Sequence, residues 1–248
     1  MKNWIRRDLK YRAKMAFRKN YWAAVVVSLI LAIVAGVGNG GGGTGSVANT
    51  VTHTEVYDGT LKFSMNYVTP FAWLLGALAV GTVLILGALF ILLKIFVGNV
   101  LEVGVRGFYI ENLYSAPSVG KIFAPFRSGQ YWNIVKIMFF RDLFIFLWTL
   151  LFFIPGIVKS YEYKMIPYLL AENPGMSKEE VFERTREMMY GQKANAFILD
   201  LSFIPWMLLN AFTLNILGVL YLQPYMDATQ AELYDVLAAP PSQNFYNQ

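Results

Sequence analysis

Apolar positions gather into six runs separated by polar segments: Tyr21–Val37, Pro70–Val97, Ile134–Ile154, Ile157–Ala171, Ala194–Leu209 and Ile216–Leu233. Such runs are too long for strands and predict helices embedded in a membrane. The first has 17 residues, roughly 26 Å at 1.5 Å per residue, the short end for a crossing. A basic region before an apolar run also suits a cleaved signal peptide. The length of that basic region favours an uncleaved first span. Pro155-Gly156 breaks the apolar sequence between the third and fourth runs and predicts a helical hairpin turning there. The fold class expected is all-α: a polytopic membrane bundle of six transmembrane helices within residues 21–237.

The polar segments complete the layout. Gly38-Asn-Gly-Gly-Gly-Gly-Thr-Gly-Ser46 opens an extracellular loop over 38–69. It has no Gly-Lys-Ser/Thr and therefore reads as a linker, not a phosphate-binding loop. A short hairpin around Asp58-Gly59 is expected within it. In the segment 172–193, Ser177-Lys-Glu-Glu180 has the capping-box spacing. Val181, Arg184, Thr185, Met188 and Met189 then follow helical spacing, which predicts an amphipathic helix over 177–190 on the cytoplasmic membrane surface. Residues 238–248, with Pro240-Pro241, read as a disordered tail.

Charge orients these runs. The chain carries 21 basic and 16 acidic residues. Residues 1–20 hold eight of the basic residues and one acid, Asp8, so the positive excess lies entirely there. Ile5, Leu9, Ala13 and Phe17 recur at four-residue steps among them, which predicts an interfacial helix over 4–19. Arg6, Arg7, Lys10, Lys14, Arg18 and Lys19 are the residues expected to meet anionic lipid headgroups. The other basic residues concentrate in 98–131 and 172–193, which places both termini in the cytoplasm of a multi-pass plasma-membrane protein. Basic residues confined ahead of an apolar run do not suit a nucleic-acid surface.

Composition narrows the chemistry. The chain is 56% hydrophobic, with a mean hydropathy of +0.43. It has no cysteine and one histidine, His53. Disulfides, thiol catalysis and Cys/His metal centres are excluded, and no cofactor, metal or catalytic residue is expected. Neither Gly-x-Ser-x-Gly nor His-Glu-x-x-His occurs, so an enzyme is not expected. The candidates that remain are charges inside the apolar runs, which are costly in a bilayer and need a reason. They are Lys94, Arg141, Asp142, Lys159, Glu162, Lys164, Asp200 and Asp227. Lys94 and Lys159 lie near span ends and are expected to extend to the membrane surface, which leaves Arg141, Asp142, Glu162, Lys164, Asp200 and Asp227. Two readings stand: a buried ion-pair network that fixes helix packing, or a polar cavity for a solute or proton. Arg141 and Asp142 are adjacent, point about 100° apart on a helix, and are not expected to pair with each other. Glu162 and Asp200 would find partners such as Arg141 or Lys164 on a neighbouring helix. Asp227 lies one turn after Gln223, with Pro224 freeing a backbone carbonyl nearby, and sits where it could be solvated.

Several segments resemble a bacterial integral membrane family, domain of unknown function 975. They are Leu150-Leu-Phe-Phe-Ile-Pro-Gly-Ile-Val-Lys-Ser-Tyr161, Glu187-Met-Met-Tyr-Gly-Gln-Lys193, Leu199-Asp-Leu-Ser-Phe203 and Pro224-Tyr-Met-Asp-Ala-Thr229. The resemblance is strongest from Val100 to Leu237 and extends in layout to the membrane domain of some glycerophosphodiester phosphodiesterases. It implies a helical plasma-membrane protein and supplies no catalytic residues. The function expected is non-enzymatic assistance to transport or export of small amphipathic molecules or peptides. The alternative is a structural or partner-binding membrane module, an assembly factor or accessory subunit with a membrane-protein partner.

Overall fold

A computed structural model describes residues 4–36, 70–213 and 216–239; the Gly-rich loop, the expected Asp58-Gly59 hairpin and the tail 240–248 lie outside the described residues. The fold is all-α, with no strand among the described residues. The helices are α1 (Arg6–Lys19), α2 (Tyr21–Gly36), α3 (Pro70–Leu93), α4 (Asn99–Tyr114), α5 (Ala124–Arg127), α6 (Tyr131–Leu151), α7 (Phe153–Glu162), α8 (Ile166–Glu172), α9 (Lys178–Met188), α10 (Lys193–Leu201), α11 (Ile204–Phe212) and α12 (Gln223–Ala238). A π-helical turn, Lys94–Gly98, makes α3 and α4 one continuous rod, and another, Gly218–Leu222, leads into α12.

Two helices among the described residues are long and apolar enough to cross a membrane: Gly76–Tyr114 and Lys193–Phe212. Tyr21–Leu31 is a shorter apolar helix. The upper part of the first rod, from Leu78 to Leu93, exposes its large apolar side chains all round. The core lies elsewhere, between α1, α4, α8 and α12, where Phe17, Phe108, Tyr109, Ile166, Leu170 and Tyr234 are fully buried. Apolar side chains therefore form two populations, one packed inside and one left facing outward. An apolar helix with no polar face cannot sit stably in water.

Three expectations change in the structure. The predicted fourth run, 157–171, is not one helix: α7 ends at Glu162, a turn follows, and α8 begins at Ile166 with Pro167 in its first turn. Ile166 to Leu170 are buried in the core. The hairpin turn falls at Phe152, whose backbone is extended (φ −153°, ψ 134°), and not at Pro155-Gly156. Proline lacks an N–H, and the first turn of a helix needs none, so Pro155 sits inside the start of α7. Gly156 serves the close approach of the two arms instead: a Cβ there would lie 2.7 Å from the Thr149 Cα. The stripe Leu9, Ala13 and Phe17 of α1 is buried within the protein, largely against α12, while Ile5 is exposed. That apolar stripe is therefore covered by protein and leaves mainly basic residues outside.

The expected amphipathic helix forms as α9, and the Ser177 side chain caps it by accepting from the Glu180 N–H at 3.2 Å. Pro224 acts as its chemistry requires. It cannot donate to the carbonyl of Leu220, and that oxygen accepts from the Tyr21 hydroxyl at 3.1 Å.

Gly104 is the tightest backbone approach in the core, because a Cβ there would lie 2.7 Å from the Ile122 carbonyl carbon. Gly104→Ala is expected to cost about 1–3 kcal/mol through overpacking. Gly76→Ala, in the interior of α3 with open space around it, should cost nothing and gain up to about 1 kcal/mol from helix propensity. Thermal unfolding of the two variants in detergent checks the contrast.

Candidate functional site: paired charges around a polar cavity

Three helices meet at Asp227. Asp227 is 3% exposed. It takes Arg106 Nη1 from α4 at 2.7 Å and the Ser28 hydroxyl from α2 at 3.0 Å. Gln223 Nε2, one turn earlier on α12, donates to it at 3.4 Å. Ser28 Oγ lies 2.6 Å from the Tyr109 hydroxyl, which also reaches the Ala24 carbonyl at 3.0 Å. Asp227 is thus the junction of α2, α4 and α12, and not a solvated carboxylate. Burial makes an unpaired carboxylate prohibitively costly, and a guanidinium with added hydrogen bonds offsets that cost.

A second cluster joins α4 to α6. Arg141 donates to both oxygens of Glu102, at 3.1 and 3.0 Å, in the two-pronged geometry that suits guanidinium and carboxylate. Its Nε also donates to Asp142 Oδ1 at 2.9 Å. The neighbours do pair, contrary to the expectation from helix geometry, because the long arginine side chain curls back over its own turn. Asn99 Nδ2 donates to the other Asp142 oxygen at 2.9 Å.

The third cluster forms around Asp200 on α10. Lys164 Nζ and the Tyr161 hydroxyl donate to Oδ2 at 2.7 and 2.8 Å, and Gln230 Nε2 of α12 donates to Oδ1 at 2.6 Å. Lys164 is the partner the sequence offered. Glu162 does not pair with Arg141. It sits in a fourth cluster, 4% exposed, receiving Lys159 at 2.7 Å, Lys193 at 2.5 Å and Arg186 at 3.5 Å. Lys159 therefore pairs within its own helix and does not simply extend towards a membrane surface.

A cavity of about 220 Å³ lies between the first three clusters. Glu102, Arg106, Arg141, Lys164, Tyr168 and Gln230 supply its polar wall, with Ile145 and Pro167 among the apolar lining. Glu162, Asp200 and Asp227 do not line it; Asp200 and Asp227 hold the residues that do. Arg106 Nε and Gln230 Oε1 are buried without a hydrogen-bond partner among the described residues. An unpaired donor and an unpaired acceptor on one polar cavity suit ordered water or a small polar solute.

The basic N-terminal helix is tied down as well. Arg12, absent from the set expected at headgroups, bridges Glu232 and Asp235 of α12. Lys10 donates to the Ser202 carbonyl at 3.3 Å and lies 4.0 Å from the centre of the Phe203 ring. Burial there, with Arg6 nearby, pulls its pKa below the usual lysine value. Lys19 donates to the Tyr114 carbonyl at 3.0 Å. Arg6 and Arg7 remain exposed, with Arg7 3.9 Å from Asp8. The helix that looked like a charged lipid anchor is in part a strap across α12. Sequence reasoning missed Arg12, Arg106, Glu102 and Gln230, since each is identified only by a partner far along the chain.

The arrangement defines a class: an all-α protein with outward-facing apolar helices and internal charges held in ion pairs between them. Residues 150–239 match the family model described as a protein of unknown function (DUF975), the family that the sequence motifs resemble. No curated protein and no solved structure matches the chain. The matched segment contains Lys159, Glu162, Lys193, Asp200 and Asp227, so every cluster but the Arg141 one includes a charge from it.

Asp227→Asn removes one partner of a buried pair and is expected to cost about 3–5 kcal/mol. The double variant Arg106→Met/Asp227→Leu removes both charges and should recover most of that loss. Thermal unfolding of the single and double variants gives the comparison.

Proposed function

We propose that the protein is a non-enzymatic, multi-pass membrane module whose outward-facing apolar segments enter the bilayer, with both termini cytoplasmic, and whose internal charges serve packing. Its role is structural or partner-binding, as an assembly factor or accessory subunit. The observation that carries this reading is the pairing of the internal charges. Around the cavity the three cations Arg106, Arg141 and Lys164 face four carboxylates, Glu102, Asp142, Asp200 and Asp227. Among the described residues there, no cation is left over to hold an anionic substrate. The basic residues of α1 that remain exposed supply contact with anionic headgroups, and the apolar surface of α3 supplies contact with acyl chains.

A second reading, assistance to transport, draws on the cavity itself. At about 30 Å³ per water, its 220 Å³ holds a handful of waters or one small polar solute. That volume favours small solutes over peptides as cargo.

Asp200→Asn separates the two. Under the packing reading, its membrane level and its unfolding temperature fall together. A variant with unchanged level and stability but a lost cellular phenotype would favour the transport reading. For topology, green fluorescent protein fused to either terminus should fluoresce, and alkaline phosphatase fused at either terminus should be inactive.

A further inference from the structure

The α6–α7 hairpin is apolar at its tip and charged at its base. From Phe146 to Val158 nearly every residue is exposed, including Leu150, Phe152, Phe153 at 71% and Ile154 at 74%. Among the described residues, no ion pair includes a member of this segment. Its base is sharply bounded by α9. Asn133 of α6 donates to the carbonyls of Pro174 and Met176, at 2.9 and 2.8 Å. Lys178 lies 4.6 Å from the centre of the Phe140 ring, and Phe182 packs on Phe144 with centroids 5.6 Å apart. Thr185 donates to the Glu162 carbonyl at 3.1 Å. α9 thus runs beside α6 up to Phe144 and meets α7 at Glu162. Its outer face carries Glu179, Glu180, Glu183, Arg184, Arg186 and Glu187, all but the first-turn pair in its second half and every one exposed. A hydrocarbon boundary cannot cross that face, so it lies beyond Phe144.

We propose that the α6–α7 hairpin enters one leaflet without crossing the bilayer, and that the cationic cluster at its base receives an anionic phospholipid headgroup. The inference rests on the multi-pass membrane reading and refines it. Each free arm has about seven residues, roughly 10 Å at 1.5 Å per residue. The hydrocarbon core is about 30 Å thick, so the tip stops within the leaflet on the α9 side. Removing two crossings leaves both termini on the same side, so the distribution of basic residues is satisfied either way.

The base supplies the charge. Among the described residues, the only carboxylate within ion-pair distance of Lys159, Lys193 and Arg186 is that of Glu162, so three cations share one anion. This differs from the cavity, where carboxylates outnumber cations. Lys159 also lies 5.7 Å from the centre of the half-exposed Trp148 ring. Tryptophan and lysine side by side, at the edge of an apolar surface, suit the depth of lipid headgroups. An anionic phosphate there gains two ion-pair partners next to the acyl chains that cover Ile157 and Val158.

The chain has no native cysteine, so single cysteines report position directly. Ile154→Cys and Thr213→Cys are made separately in the full chain. In intact cells a membrane-impermeant maleimide should label Thr213→Cys and leave Ile154→Cys unlabelled. Labelling of both overturns the inference alone and leaves a crossing hairpin. Labelling of neither overturns the multi-pass reading and the inference with it. Reconstituted in phosphatidylcholine–phosphatidylglycerol vesicles, a bimane on the Ile154→Cys variant should be quenched at least about twofold more by an acyl-chain nitroxide than by a headgroup nitroxide. Stronger headgroup quenching, or none by either, sinks the leaflet placement. Arg186→Gln, at an exposed position, should lower phosphatidylglycerol retained on the purified protein about twofold relative to phosphatidylcholine. Unchanged retention overturns the headgroup assignment.

Discussion

The ion pair between Arg106 and Asp227 holds the rest of the structure in register. It joins α4 to α12 at a point where α2 also arrives through Ser28. A buried carboxylate is tolerated only while a cation and hydrogen-bond donors remain in place. Their geometry therefore restricts how these helices can rotate or slide. Apolar packing by itself would permit several registers, since Leu, Val and Ile surfaces interchange at small cost. The Arg12 bridge to Glu232 and Asp235, and the Arg141 fork on Glu102, apply the same constraint to α1 and α6.

Around this centre the molecule divides its apolar residues by destination. Those of α4, α8 and α12 close a core; those of α3, the α6–α7 tip and α11 face outward. Polar groups follow the same division. Among the described residues the charges around the cavity are matched almost one for one, whereas three cations share the one carboxylate of Glu162 at the foot of the hairpin. Matched charge serves packing. Cations in excess of the carboxylate they share, beside exposed apolar surface, suit a partner outside the protein.

Helix content and several helix boundaries are legible in the order of residues. Ser177 and Glu180 mark the start of α9 because a cap is a local event, settled within one turn. The same is true of Pro224, whose freed carbonyl follows from its ring. Less is legible where a run of apolar residues gives no depth. Ile157–Ala171 reads as one span, yet it bends at the turn between Glu162 and Ile166, and its second half is core. Hydropathy reports a dislike of water and does not distinguish lipid from protein as the alternative. The stripe on α1 shows the same ambiguity, with α12 in the place expected for the membrane interface.

Among the charges, the sequence picks out Arg141, Asp142, Glu162, Lys164, Asp200 and Asp227 because a charge within an apolar run is expensive wherever the run ends up. Of the two cations offered as partners for Glu162 and Asp200, Lys164 meets Asp200 and Arg141 meets neither. The remaining partners come from segments that look ordinary alone: Glu102 and Arg106 past the end of an apolar rod, Lys193 at the edge of a polar loop, Gln230 within the last helix. By itself, then, the sequence determined the helical fold, the basic N-terminal segment and which charges need compensation, all of which follow from local composition and periodicity. Only the tertiary structure decided which charges meet, where the cavity lies and which apolar faces stay open. Those depend on contacts between helices far apart along the chain, whose geometry no local pattern encodes.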